Sequence, residues 1–349
     1  MDVAVVRDAH GHRLHGAAPD VSQVNRFLEH IETRAFSPAT VRAYAYDLLD
    51  FTRFLRDGAL TLADVQPSDL FDYLAWQARP SSTAGRKVVR LADARGAAPA
   101  TMNRRIAAVR GLYEFLVVTG LRATSPVPAP RRSSGLRATK RGLLGHLGPG
   151  RPRSGGRLVR QARRLPESLE RTEVEAFLAD LRTHRDRAMV LAMVLGGLRA
   201  GEVRSLRLAD VDMGLRQVRV LGKGRRERVV PIDRTFFVEL AAYLHTERPQ
   251  RCPTPECFVV LRGPTAGGAM TEAGMRRIFR THRERSGATR VRPHRLRHTY
   301  GTELARAGVD LLALKELMGH ADPETTAAYV HLSPEALAAE YARARAATR

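Results

Sequence analysis

Cysteine is close to absent: the 349 residues hold two, Cys252 and Cys257. Two cysteines cannot build the disulfide framework of a small secreted domain. Their Cys-Pro-Thr-Pro-Glu-Cys spacing is wider than a zinc knuckle, and no second ligand pair follows. They read as loop residues in a reducing compartment. Long apolar runs are missing too. The longest, Ala188 to Leu198, is too short to cross a bilayer and reads as a buried helix. No apolar signal core accompanies Asp2, Arg7 and Asp8 at the start. The expectation is a cytoplasmic protein with no membrane partner. Acid is scarce against base, 36 Asp and Glu to 58 Lys and Arg, a formal charge of +22. That balance favours a polyanionic partner. An Arg-rich genome also raises the count, so charge alone does not name a reaction. Hydrophobic residues make up 44% of the chain, enough to bury proper cores, and the length suits about two domains.

Residues 1–20 are polar, with His10, His12 and His15, and read as a mobile tail. From Val21 the pattern turns helical. Phe27, Leu28 and Ile31 share a face. Ser37 is the candidate N-cap and Pro38 the first residue of a second helix. Val41, Tyr44, Leu48, Phe51 and Leu55 follow at three- and four-residue steps. Leu70 to Trp76 predicts a shorter helix and Thr101 to Thr119 another. Residues 21–125 thus form a helical domain. Arg104, Arg105 and Arg110 on its last helix read either as a solvated basic face or as a surface laid on DNA phosphates. Between Pro126 and Leu165 stand eleven Lys and Arg and no Asp or Glu, among Gly, Pro and Ser. This is a basic linker rather than a core. A second domain, 166–349, opens with helices at Leu169 to Leu181 and Arg187 to Leu195, a break at Gly196-Gly197, and a helix from Ala200 to Leu206. Strands at Gln217 to Leu221 and Arg228 to Ile232 flank a Gly-rich turn. Beyond them the pattern is helical to the end.

Five pieces of this second domain carry chemistry. In Gly196-Gly-Leu-Arg-Ala-Gly-Glu202, Arg199 stands at a helix N-terminus, where anions bind, and Glu202 is spaced to hold it. Lys223 sits between glycines in the hairpin turn. Alone it reads as a solubilising residue. In Pro293-His-Arg-Leu-Arg-His-Thr299, His294 and Arg297 are three apart and share a face, while His298 is expected on another side as a packing residue. His320 follows Gly319 at a helix end, as a cap or as a donor to a phosphate. Tyr329 follows Asp322-Pro323, which can open a short helix.

Arg199, Lys223, His294-x-x-Arg297, His320 and Tyr329, in this order, resemble the tyrosine recombinase family of phage integrases and Xer recombinases. Leu296-Arg-His-Thr299, Leu317-Met-Gly-His320 and Thr325-Thr-Ala-Ala-Tyr-Val-His331 look especially Xer-like. The resemblance spans Pro166 to His331, and residues 21–125 are similar to the family's helical core-binding domain. It implies a mainly α fold with a small antiparallel β-sheet, in two domains forming a clamp. One is an all-helical core-binding (SAM-like) domain and the other an α+β catalytic domain. It also implies a site-specific recombinase or integrase that cuts and rejoins double-stranded DNA. The partner assembly would be a homotetramer on DNA, alone or beside a second recombinase, with the tail helix from Pro334 to Ala346 docked on a neighbour.

The implied reaction is transesterification through a 3′-phosphotyrosyl link. A phenol with a pKa of about 10 is a poor nucleophile at neutral pH. Tyr329 is the implied nucleophile. Arg199 and Arg297 clamp the non-bridging oxygens with fixed forks. His320 adds a hydrogen bond, Lys223 is the general acid, and His294 is the proton acceptor. The bond energy is kept, so no cofactor is expected, and the cationic side chains stand in for a metal. Three other readings compete: a type IB topoisomerase, an inert DNA-binding regulator on a recombinase scaffold, and a helix–turn–helix repressor suggested by the bend at Gly196.

Overall fold

The computed structural model describes residues 3–8, 11–79, 96–128, 158–159, 168–222 and 227–319. The chain divides into two compact units, 1–163 and 164–349.

The first unit is four helices with a small hairpin: α1 (Val21–Thr33), α2 (Pro38–Asp57), α3 (Asp69–Ala78) and α4 (Pro99–Val118). Ser37 caps α2 by accepting from the Thr40 amide, and Pro38 supplies the first turn, as the Ser-Pro pair predicts. The apolar stripe of α2 buries Val41, Leu48, Phe51 and Leu55 against Phe27, Ile106 and Leu112. Phe51 meets Tyr73 and Tyr113 edge-on, the favoured aromatic geometry.

The expected mobile tail is corrected here. Strands β1 (Ala4–Asp8) and β2 (Gly11–His15) pair antiparallel, with Val5 opposite Leu14 and Arg7 opposite His12. Val3 and Leu14 are buried in the helical core. The Asn25 side chain completes the strand edge, accepting from the Leu14 amide at 2.8 Å and donating to its carbonyl at 2.9 Å. Arg13 reaches Glu32 of α1 at 2.6 Å. A stretch that looks polar is therefore held by one leucine, one amide and one ion pair. Of the basic linker, few residues are described: Val127 is buried and Leu158 packs on this same core.

The second unit is built around α6 (His184–Val194), buried from Ala188 to Val194. In the core around it lie α5 (Arg171–Asp180), α7 (Ala200–Ser205), α8 (Arg234–Thr246), α9 (Glu272–Ser286) and α10 (Pro293–Arg306). Helix α11 (Leu311–Met318) buries Leu314 and Met318 against Tyr300 of α10 in a smaller cluster. A three-stranded antiparallel sheet runs β3 (Val211–Asp212), β4 (Gln217–Leu221) and β5 (Glu227–Pro231), adding a short strand to the expected pair. Val218, Val220, Arg228 and Val230 are its buried positions, the period of two that a one-sided sheet requires.

Residues 247–271 are irregular rather than helical, which corrects the second expectation. Pro249, Pro253, Pro255 and Pro264 remove backbone donors there, and Gly263 and Gly267 adopt positive φ. Both cysteines are free: Cys257 is buried, while Cys252 is half-exposed and bonds the Gly267 carbonyl. Among the described residues no helix is long and apolar enough to cross a membrane.

Candidate active site

The site begins at a helix break. Gly197 has φ +61°, and a side chain on it would meet the Tyr300 ring at 2.4 Å, so both backbone and space demand glycine. The turn delivers Arg199 to the N-cap of α7. Glu202, three residues on, folds back to accept from the Arg199 amide at 2.8 Å and from its guanidinium at 2.7 Å. The spacing read from the sequence thus becomes a capping pair.

Arg228, from β5, lays its fork on the same carboxylate, with both nitrogens 2.9 Å from the two Glu202 oxygens. Its Nε donates to the Leu317 carbonyl at 3.0 Å. Arg297, one turn into α10, is 2% exposed and lies 4.0 Å from Glu202. It donates to the carbonyls of Gly197 and Met318. Arg199 donates to the Gly319 carbonyl at 2.9 Å. The last carbonyls of a helix lack partners within it and carry partial negative charge. Here three guanidiniums satisfy them. Gly319 ends α11 at φ +57°, and a side chain there would strike the Arg228 guanidinium.

Three arginines against one carboxylate leave a surplus of two positive charges. Burial alone would raise the Glu202 pKa. The Arg228 hydrogen bonds, the Arg199 amide and the two nearby guanidiniums outweigh it and hold the group at about 2. Glu202 is therefore an anion at neutral pH and orders the cations around it. Arg199 keeps 37% of its side chain exposed, against 3% for Arg297 and 5% for Arg228. It is the guanidinium of the three that solvent reaches best.

His294 projects outward from the same turn of α10 and keeps an exposed edge. Its pKa is lowered, first by loss of water around the ring and then by Arg297 and Arg199. A neutral imidazole can accept a proton. His298 is not on another side, as the sequence reading expects. Its ring lies 4.3 Å from that of His294, edge to face, because residues four apart stack on a helix. Burial, His294 and Arg297 push it down to about 4.

Residues 167–336 match the phage integrase family, and residues 24–120 match the N-terminal SAM-like domain of phage integrases. Tyrosine recombinase XerC of Myxococcus xanthus is 30% identical over 333 residues, 91% of this chain and 95% of that protein. The chain belongs to the phage integrase family of tyrosine recombinases. Tyrosine recombinase XerC of Shewanella sp. (strain ANA-3) is 28% identical over 328 residues, 91% of this chain and 95% of the relative. Two solved structures share the fold. One is the XerH site-specific recombinase bound to palindromic difH substrate in a post-cleavage complex. Its TM-score is 0.62 at 20% identity, covering 91% of this chain and 83% of that one. The other is the Tn1549 transposon integrase with a circular intermediate DNA. Its TM-score is 0.62 at 15% identity, covering 92% and 99%. The protein is a tyrosine site-specific recombinase with the family's two-domain fold.

Of the sequence-predicted residues in this recombinase, Arg199, Glu202, His294 and Arg297 come together. Lys223, His320 and Tyr329 lie outside the described residues, as does the tail helix from Pro334. The described chain runs up to Gly222 and Gly319, the residues before Lys223 and His320. Arg228 is the site residue that the sequence reading missed. Its signal was an arginine in register with Val230, on the buried face of a strand.

In the first unit, Arg104 and Arg105 do not stand as a free basic row. Arg104 pairs with Asp47 at 2.5 Å, and Arg105 with Asp50 at 2.7 Å. Arg110 is half-buried on the same helix. Among the described residues no group of three His, Cys, Asp or Glu could hold a metal ion.

Proposed function

We propose that this recombinase cleaves and rejoins duplex DNA through Tyr329, with Arg199, Arg297, Lys223, His294 and His320 as its catalytic residues. The observation that carries the reading is the convergence of Arg199 and Arg297 on the end of α11, one residue before His320. Around that point lies a surplus of fixed positive charge in partly buried surroundings. A scissile phosphate supplies the matching anion.

In the reaction, the Tyr329 phenol oxygen attacks phosphorus as its proton passes to His294. The new P–O bond to tyrosine forms as the bond to the 5′-oxygen breaks, and Lys223 gives that oxygen a proton. The reverse sequence with a different 5′-hydroxyl completes strand exchange. Negative charge grows on the non-bridging oxygens in the transition state. The forks of Arg199 and Arg297 hold them at no cost of reorganisation, and His320 adds a donor. Both bonds are phosphodiester in kind, so no external energy source enters the balance.

The net charge of +22 supports a DNA partner, as do the DNA complexes of the XerH and Tn1549 proteins. A homotetramer on two DNA sites, alone or with a second recombinase, is the assembly we infer for a cytoplasmic protein that must exchange strands between duplexes.

The test is suicide-substrate trapping. Nicked duplexes tiled from DNA flanking its own gene are incubated with the protein and run on a denaturing gel. A protein–DNA adduct is expected with wild type and not with Tyr329→Phe, while both bind the DNA. An adduct formed equally by the variant overturns the nucleophile. Binding without any adduct overturns strand cleavage and brings the inert-regulator reading forward.

A further inference from the structure

We propose that Arg228 is a positioning residue of this recombinase, the buried node that holds Arg199, Glu202 and the end of α11 in one arrangement. The inference rests on the strand-cleavage reading above.

Each of the three Arg228 guanidinium nitrogens has a partner. Two nitrogens bridge the two oxygens of Glu202, and Nε holds the Leu317 carbonyl. The elements it joins are far apart in sequence: α7, which Arg199 caps, β5 on which it stands, and α11, which ends before His320. Strand β5 itself begins four residues after Lys223. One side chain therefore ties together the elements that lead to three of the proposed catalytic residues, Arg199, Lys223 and His320, touching none of the reacting atoms.

Two further observations separate this from an ordinary buried ion pair. Glu202 already has a partner in Arg199, so Arg228 is not needed to neutralise it. A third guanidinium beside two others is a cost, and its bidentate contact with Glu202 forms nonetheless. In addition, Gly319 approaches so closely that a Cβ would lie 2.8 Å from an Arg228 nitrogen. The helix end is seated on the guanidinium. With Arg228 gone, the Glu202 carboxylate is free to swing toward Arg297 or to take both donors of Arg199. The Arg199 fork then turns inward, away from the phosphate.

The experiment compares strand cleavage on two suicide substrates, one with the natural scissile phosphodiester and one with a neutral methylphosphonate in its place. The second builds less negative charge in its transition state and leans less on the arginine clamp. Arg228→Met and Arg228→Lys are each compared with wild type for the rate of Tyr329 adduct formation and for DNA binding. On the phosphodiester, Arg228→Met is expected to lose about 100-fold, the scale of a displaced catalytic group, with binding unchanged. Arg228→Lys should fall between it and wild type, because one ammonium cannot span both carboxylate oxygens and the carbonyl. On the methylphosphonate both deficits should narrow to about tenfold or less. An equal loss on the two substrates means general loosening of the domain and overturns the proposal, as does no loss on either. If Arg228→Met does not fold, the ratio for Arg228→Lys carries the same decision. The parent reading fails separately: wild-type protein that binds DNA and forms no adduct sinks strand cleavage, and this inference with it.

Discussion

Each unit of the molecule buries carboxylates under arginines, and the two do so with opposite results. In the first, Asp47 is 2% exposed and faces Arg104, whose side chain is 49% exposed, while Asp50 faces Arg105. Each acid has one base. Burial pushes the Asp47 pKa up to about 6, more than Arg104 and Arg105 can offset. Burial raises Asp50 as well. In the second unit Glu202, as deeply buried, is held down at about 2. The difference is the number and rigidity of the donors. A half-exposed guanidinium is screened by water and gives little back for the lost hydration of its partner. A bidentate fork, an amide and a second guanidinium give back more than burial removes. The first arrangement closes a helix–helix seam with its charges balanced. The second keeps an anion in place and leaves positive charge over for something else to meet.

Breaking the second arrangement should have the largest effect. Arg297→Lys keeps the charge and loses the fork that reaches Gly197 and Met318. Adduct formation should fall by roughly a hundred- to a thousandfold with little change in DNA affinity. A near-normal rate would place Arg297 among structural residues alone.

Glu202→Gln comes next. Removing one partner of a buried pair leaves uncompensated charge, and the variant should lose about 3 kcal/mol in urea unfolding at pH 7. The pH dependence sharpens this. The folded pKa of about 2 lies below the reference of 4.5, so native Glu202 resists protonation. Its contribution is present above 4.5 and is lost as pH falls toward about 2. The stability gap between wild type and variant should close over that window. A gap that stays constant from pH 6 to pH 3 contradicts the ion-pair account.

Asp47→Asn should show the smallest effect at pH 7 and the opposite trend. The folded pKa of about 6 lies above the reference of 3.8, so protonation favours the native state. That contribution is present below 3.8 and lost as pH rises through about 6. Wild type should gain on the variant as pH is lowered from 7 to 4. Parallel pH profiles for the two variants would erase the contrast between the units.

Much of this was legible along the chain. Ser37-Pro38 announced the start of α2, and Gly196-Gly197 the break before α7, because capping and glycine chemistry act over three or four residues. The Arg199–Glu202 pair was legible for the same reason. The hairpin at Ala4–His15 was not: its strands are five residues each, and what holds it is Asn25 and Glu32 on a following helix. His298 was placed on the wrong side, although four-residue spacing from His294 carried the information. The arginines of α4 were read either as a solvated face or as a surface laid on DNA; that Arg104 and Arg105 pair with Asp47 and Asp50 was not legible, because those acids lie on α2, far back in the sequence.

Residue type and spacing alone determined the family, most of the helices with the β4–β5 pair, and the set of side chains with the right chemistry, since each depends on neighbours within a few positions. Tertiary structure alone decided that Arg297 turns inward while His294 stays exposed, that Arg228 joins Glu202, and that Arg199, Arg228 and Arg297 meet at the end of α11. Those contacts are set by packing between elements scores of residues apart, where the partner of a buried charge is whichever group the fold brings within hydrogen-bond distance.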